Sequence, residues 1–281
     1  MTNNKLREIN SFEQLRSYLI ERGNSHHNYW HYTNKDGLLG ILESGYFHLT
    51  SLVSLKMNDL QEGSKGNFQE RRKLYEMSFA YSSENMAMWG LYGIPLKESL
   101  CVILPKKAIN TIINNGTVVY EIENNGQVRN SYHECGNCEE VFMTDIAYLN
   151  GKRDSLHTTI KHNNEILKIS SKPQLRGISS EKILTGLIKN DVWSYENESR
   201  LIVKFSNNSD NKIAIKIPEK AFKDFKIYFS PWVKDEFKNN IKNTLISNFN
   251  FEENQFENSK FENLVNYRDL CNYCEYEFKR K

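Results

Sequence analysis

The segment Trp193–Arg200 reads Trp-Ser-Tyr-Glu-Asn-Glu-Ser-Arg. As the opening of a strand, its two-residue period puts Glu196, Glu198 and Arg200 on one face and Tyr195 on the other. Two carboxylates on one face repel each other, which raises one pKa, and they can hold a sugar hydroxyl or stabilise a cationic transition state. A solvated strand edge with Arg200 as salt-bridge partner uses the same residues structurally. Near the other end of the chain, His31, Tyr32 and Thr33 offer imidazole, phenol and hydroxyl groups that suit a ribose and a stacked base. A satisfied, partly buried histidine is the plainer alternative. Trp89 and Tyr92, at i and i+3, form either an aromatic platform or core packing. Asn58, Asp59 and Glu62 lie in a polar stretch punctuated by Gly63 and Gly66, a loop of the kind that lines sites or is simply solvated.

Cys135-Gly-Asn-Cys138 and Cys271-Asn-Tyr-Cys274 are two Cys-x-x-Cys pairs, each sized for one side of a tetrahedral thiolate zinc site. Zinc ribbons place their second pair roughly 15–20 residues after the first, whereas here more than about a hundred intervene. A shared structural zinc, with His133 as a spare ligand, therefore requires the tail to fold back; two separate reduced pairs, or redox chemistry, are the other readings.

Several elements must position these groups. Ser11–Gln14 has the form of a capping box and opens a helix over residues 11–21. Asn28–Thr33 has strand character, Lys35–Ser44 carries a helical apolar stripe ended by Gly45, and Tyr46–Thr50 is a second strand. A charged helix is expected around residues 68–75, a strand over 77–83 and a short helix over 84–91. Further strands fall at 100–104, 117–122, 141–148, 198–205, 212–217 and 226–229, with an amphipathic helix over 234–247. Residues 155–188 read as helical or irregular. The irregular alternation predicts an α+β domain with mixed or antiparallel sheets flanked by helices, spanning residues 1–248. Residues 249–281, polar and rich in Asn and Glu, are expected to form a C-terminal appendage, folded back if the Cys pairs meet.

Composition narrows the function classes. The 281 residues are 39% hydrophobic and 26% charged with only 5 prolines, a globular rather than disordered balance. Lys+Arg 37 against Asp+Glu 35 gives a net charge of +2, too balanced for bulk electrostatics to announce a nucleic-acid binder. No apolar run reaches the ~18–20 residues of a membrane helix, and Met1–Arg7 lacks a signal-peptide core, so a cytoplasmic protein without a membrane partner is expected. Five cysteines and no export signal argue against a disulfide framework. No Walker loop, Gly-x-Gly-x-x-Gly or internal repeat occurs.

Taken together, His31–Gly45, Leu49–Ser51, Asn58 and Asp59 with Glu62, Ser82–Glu84, Met88–Gly93 and Trp193–Ile202 resemble the bacterial domain-of-unknown-function family 2971, over about Trp30 to Leu245. The opening His-Tyr-Thr, short helix and Gly-ended turn into Leu-x-Thr are also similar to the first motif of ADP-ribosyltransferases that carry a His, an aromatic and a Glu. That resemblance implies an ADP-ribosyltransferase-like fold that binds NAD as substrate. It gives His31 and Thr33 the ribose, Tyr81, Trp89 or Tyr92 the nicotinamide, and Glu198 the catalytic role with Glu196 as helper; Tyr32 and Arg200 complete the binding set. It further implies transfer of ADP-ribose to a protein or nucleic-acid acceptor, as in toxins and antiviral effectors. An NAD glycohydrolase using water, or a non-catalytic nucleotide- or nucleic-acid-binding module, are the rival readings of the same residues.

Overall fold

The computed structural model describes residues 6–53, 68–82, 84–122, 131–149, 159–162, 165–169, 182–207 and 212–262. In chain order the elements are β1 (Leu6–Ile9), α1 (Phe12–Gly23), β2 (Asn28–Asn34), α2 (Lys35–Ser44), β3 (Tyr46–Ser51), α3 (Phe68–Arg71), β4 (Leu74–Ala80), α4 (Met86–Tyr92), β5 (Ser99–Pro105), α5 (Lys106–Asn115), β6 (Val118–Ile122), β7 (Ser131–Glu134) and β8 (Cys138–Asp145). They continue with β9 (Ala147–Leu149), β10 (Thr159–His162), β11 (Glu165–Ile169), β12 (Ile188–Asn190), β13 (Glu198–Phe205), β14 (Lys212–Lys216), α6 (Glu219–Phe222), β15 (Lys226–Phe229), α7 (Asp235–Phe249) and β16 (Phe256–Asn258). The result is an α+β fold with a large mixed sheet flanked by helices. No helix among the described residues is long and apolar enough to cross a membrane.

The large sheet forks at β4. On one side β4 pairs antiparallel with β13 along its whole length, and β13 pairs onward with β8. On the other side two strands share it: β2 meets it at Trp30↔Ala80, and β3 meets it at Thr50↔Glu76 and Ser51↔Tyr75. From β2 one branch runs through β5 and β15 to β16; from β3 the other runs through β14 and β6 to β7. Between the two contacts, Met77, Ser78 and Phe79 have no ladder partner on this side among the described residues, and α2 links β2 to β3 there. A second sheet, in the order β1-β11-β10-β9-β12, stands beside it.

Helix α2 shows how local chemistry builds this corner. Asn34 caps its start by accepting a hydrogen bond from the Gly37 backbone N–H (3.0 Å), and Gly45 ends it in the left-handed region at φ 75°. Leu38, Ile41 and Leu42 fall on one face and join Phe47, Leu49, Phe79, Leu201, Phe225 and Phe229 in the main core. A second cluster packs α1 through Leu15, Tyr18 and Leu19 against Leu184, Leu187 and Ile188.

Four expectations need correction, and one helix was not expected. Residues 155–188, read as helical or irregular, hold the antiparallel strands β10 and β11. The charged helix over 68–75 is a single turn, α3, and β4 already begins at Leu74, because flanking strands cover both of its edges and bury all but one of its residues. Helix α5, unforeseen, starts directly after Pro105 and buries Ala108, Ile109 and Ile112. The strand expected from Trp193 starts at Glu198; residues Asp191–Glu196 form a 3₁₀ turn and Asn197 is left-handed at φ 46°. Residues 250–262 of the expected appendage pack onto the domain: Phe256–Asn258 joins the sheet as β16, parallel to β15, and Phe251, Gln255 and Ser259 are buried. Glu84 fixes this segment by accepting from Lys260 N (2.9 Å) and from Ser259 Oγ.

Candidate active site

The gap beside β4 opens into a cleft of about 560 Å³. His31 and Thr33 of β2, Gly37 and Gly40 of α2, His48 and Thr50 of β3, Glu76 and Ser78 of β4, and Tyr92 of α4 line it, together with Lys189, Glu196, Glu198 and Arg200. A Cβ at Gly37 would stand 2.1 Å from Thr33 Oγ1 and displace that hydroxyl from its place in the cleft. At Gly40 a Cβ would meet nothing within 4 Å, so that wall of the cleft is open.

Glu198 is the most heavily tied group. Its Oε1 accepts from Arg200 Nε (2.7 Å) and Ser78 Oγ (2.5 Å), and its Oε2 from the second guanidinium nitrogen (3.0 Å) and Lys189 Nζ (3.2 Å). The Tyr148 hydroxyl accepts from the Glu198 backbone N–H (2.9 Å). Burial alone would raise this carboxyl, but the Arg200 and Lys189 charges, with hydrogen bonds from Arg200 and Ser78, outweigh it and hold the pKa at about 2. Glu196 moves the other way: burial and the Glu198 charge raise it, against Lys189 and a hydrogen bond donated by the Tyr92 hydroxyl. Lys189 Nζ reaches Glu196 Oε2 at 2.6 Å and so bridges the two carboxylates. Arg200, 1% exposed, also pairs with Glu76 Oε2 at 2.7 Å and donates to the Gly186 carbonyl (3.1 Å). The buried cluster thus sets three carboxylates, Glu76, Glu196 and Glu198, against two cations, Lys189 and Arg200.

Across the cleft, His31 Nδ1 lies 3.1 Å from the Ser78 carbonyl. A carbonyl only accepts, so Nδ1 carries the proton and Nε2 is the ring's acceptor. Burial lowers the His31 pKa and keeps the ring neutral at pH 7.

The carboxylate pair foreseen in the sequence is therefore assembled, but by other means. Glu196 sits on the 3₁₀ turn and not on the strand, and Lys189, rather than strand alternation, brings it to Glu198. His31, Thr33, Glu196, Glu198 and Arg200 converge as expected, and Tyr92 is the aromatic that reaches the cleft. Tyr32 touches the cleft wall, but its ring packs edge-on against Trp89 (4.7 Å) and its hydroxyl accepts from Asn85 N. Trp89 is fully buried, donates Nε1–H to Glu84 (2.8 Å) and is a core residue, not a platform. Tyr81 stacks on His26 (4.4 Å), outside the cleft lining. Glu76, Ser78 and Lys189 complete the site and were not foreseen. A single Glu within the apolar run Leu74–Ala80 was the available signal for Glu76; Lys189 has none.

Asn58, Asp59, Glu62, Cys271 and Cys274 lie outside the described residues. Cys135 and Cys138 are free thiols at the turn into β8, and burial pushes both thiols up, away from the thiolate form. Among the described residues no group of three or more His, Cys, Asp or Glu is placed to hold a metal ion. No protein-family profile matches the chain, and no curated protein matches it.

Proposed function

We propose that the cleft binds NAD and cleaves its nicotinamide glycosidic bond, as an ADP-ribosyltransferase-like enzyme in which Glu198 faces the reacting ribose. The supporting observation is an ionised, buried Glu198 on the wall of a cleft that holds one more carboxylate than cation, opposite the neutral imidazole of His31. When the C–N bond breaks, its electron pair leaves with nicotinamide, which departs neutral and needs no acid. Positive charge moves onto the ribosyl carbon, and a fixed carboxylate beside it stabilises that charge more than it stabilises the ground state. His31 Nε2 and Thr33 Oγ1 suit the ribose hydroxyls, and the Tyr92 ring suits the nicotinamide. The acceptor then attacks the ribosyl carbon and loses a proton, and Glu196, with its raised pKa, serves as the base that takes it.

The motif resemblance adds a macromolecular acceptor, protein or nucleic acid, and a toxin or antiviral role in the cytoplasm; with water as acceptor the enzyme is an NAD glycohydrolase. A structural zinc shared by the two Cys pairs belongs to the same reading and rests on their spacing alone. One observation favours a second function: both oxygens of Glu198 are already engaged, which suits a non-catalytic nucleotide- or nucleic-acid-binding module with a structural ion-pair cluster. Incubation with NAD labelled on the adenylate, with and without cell lysate, separates these. Label transfer identifies a transferase, nicotinamide release alone a glycohydrolase, and binding without either the module.

A further inference from the structure

A residue that only caps a helix needs a side-chain acceptor and nothing more, which is why Asn, Asp and Ser serve about equally well there. Asn85 precedes α4 and caps it, its Oδ1 accepting from the Ala87 backbone N–H (2.9 Å). That bond fixes the amide's orientation, because a backbone N–H only donates, so the NH2 group occupies the other end. Asn85 Nδ2 donates to the Tyr195 carbonyl at 2.7 Å, on the 3₁₀ turn that carries Glu196. The Asn85 backbone N–H donates to the Tyr32 hydroxyl of β2 (3.0 Å). Asn85 is outside the cleft lining, yet β2, α4 and the Glu196 turn all meet at it.

Tyr195 and Asn197 flank Glu196, and both of their carbonyls are held from the same stretch of chain. Asn197 O accepts from the Tyr81 N–H (2.9 Å), one step beyond the pair Glu198↔Ala80, and Asn197 Nδ2 lies 3.3 Å from Ser82 Oγ. Asn197 Nδ2 also lies 3.4 Å from the Tyr195 carbonyl, a longer contact than that of Asn85. At the far end of α4 the Tyr92 hydroxyl donates to Glu196 Oε1. Helix α4 is thus tied to the turn at its start by Asn85 and at its end by Tyr92.

We propose that Asn85 is a positioning residue for Glu196: its amide N–H docks the start of α4 on the Tyr195 carbonyl and so keeps the Tyr92 hydroxyl within reach of the Glu196 carboxylate. The proposal rests on the reading of the cleft as a reacting site for the use made of Glu196 as a base, and on the hydrogen bonds alone for the positioning. Glu196 is also faced by Lys189 of β12, Glu198 of β13, and the phenols of Tyr148 on β9 and Tyr195 on its own turn. Of all these groups only Tyr92 belongs to α4, so releasing α4 removes the Tyr92 contact and leaves the others. A hydrogen bond to a carboxylate favours its charged form, and its loss raises the pKa.

Two variants separate capping from positioning. Asn85→Ser keeps an oxygen for the Ala87 N–H and has no amide nitrogen left for Tyr195, whereas Asn85→Ala loses both bonds. Circular dichroism and urea midpoints serve as fold controls. The Glu196 carboxyl is titrated by NMR of protein labelled at the glutamate carboxyls, without ligand, its signal assigned by its absence in Glu196→Gln. The Glu196 midpoint is expected to rise by about one pH unit in Asn85→Ser, the scale of one hydrogen bond to a charged group. Asn85→Ala shows the same rise together with a lower urea midpoint, and Tyr92→Phe the same rise again. The double variant Asn85→Ser with Tyr92→Phe rises no further, because both changes remove one contact. An unchanged Glu196 midpoint in folded Asn85→Ser, or rises that add in the double variant, overturns the proposal. Nicotinamide release from NAD is followed against pH in the same proteins, and its acidic limb is expected to move with the Glu196 midpoint. No release by the wild type, with the titration shifts as stated, removes the proposed reaction and leaves the positioning by Asn85 standing.

Discussion

Replacing Lys189 by methionine removes one of two cations that face three buried carboxylates while keeping the length and apolar stem of the side chain. In the wild type its ammonium lies 2.6 Å from Glu196 Oε2 and 3.2 Å from Glu198 Oε2, and 5.1 Å from the centre of the Trp193 ring. Breaking a buried ion pair by removing one partner costs about 3–5 kcal/mol, because the remaining charge stays buried without compensation. Part of this loss depends on pH. Glu196 already sits above the ordinary carboxylate value, and without Lys189 it rises further. A group whose folded pKa lies above its unfolded value, about 4.3 for Glu, favours folding at low pH and loses that contribution as pH rises through the folded value. The deficit of the variant is therefore smallest near pH 5 and largest near pH 8. Urea unfolding of both proteins at the two pH values measures it, and adding Glu196→Gln to Lys189→Met, which leaves Glu76 and Glu198 against Arg200 and so restores the wild-type excess of one negative charge, recovers most of the loss at pH 8. A deficit below about 1 kcal/mol, or one identical at pH 5 and pH 8, would refute the view that Lys189 holds the two carboxylates together.

Gly40→Trp fills the open wall of the cleft from a helix position where a Cβ meets nothing; ligand binding is expected to disappear, while the unfolding free energy stays the same or rises by up to about 1 kcal/mol as a helical glycine is removed. Tyr92→Phe deletes the hydroxyl whose hydrogen bond holds the Glu196 pKa down, so the acidic limb of the pH–rate profile, set by deprotonation of the base, moves to higher pH without a change in stability beyond about 1.5 kcal/mol. Phe251→Ala, in the segment that joins the sheet through β16, costs about 3–5 kcal/mol in urea unfolding; a neutral result would return residues 250–262 to the status of an appendage.

Much of this molecule is legible in its sequence where a residue's neighbours in the chain decide its fate. The apolar runs of β13 and β15 and the Gly45 terminus of α2 are local signals that the structure keeps, and of the capping box at Ser11 it keeps the half in which Ser11 Oγ accepts from Gln14 N, while the Gln14 side chain accepts from Asn10 N instead of Ser11 N. His31, Thr33, Glu198 and Arg200 were brought together in the sequence by the motif resemblance; their spacing alone fits a satisfied histidine and a strand-edge salt bridge as well as a site. What was not legible depends on pairing at long range. Leu74–Ala80 becomes a strand because β13, from a segment some 120 residues later, covers its edge with Glu198 opposite Ala80. Lys189 reaches Glu196 and Glu198 only because β12 pairs in parallel with β9, placing Lys189 opposite Tyr148. Trp89 was misplaced because an aromatic pair at i, i+3 looks alike whether it faces a ligand or a core. Here Glu84, which holds the Trp89 indole and the chain at Ser259 together, turns it inward.

The same cluster guides the choice of active-site variant. Glu198→Ala would leave the Arg200 guanidinium short of a partner in a buried setting, so its loss of activity would be mixed with loss of fold. Glu198→Gln keeps the shape and leaves Glu76 and Glu196 against Lys189 and Arg200, two charges of each sign, so the fold survives while the negative charge beside the ribose is gone. The most direct measurement is the rate of nicotinamide release from NAD by the wild type and by Glu198→Gln, with NAD affinity determined for both. The account predicts a fall of at least about 100-fold in rate, the scale of losing one transition-state electrostatic contact, with NAD affinity retained. Equal rates in the two proteins, or no release by a wild type that binds NAD, would contradict it.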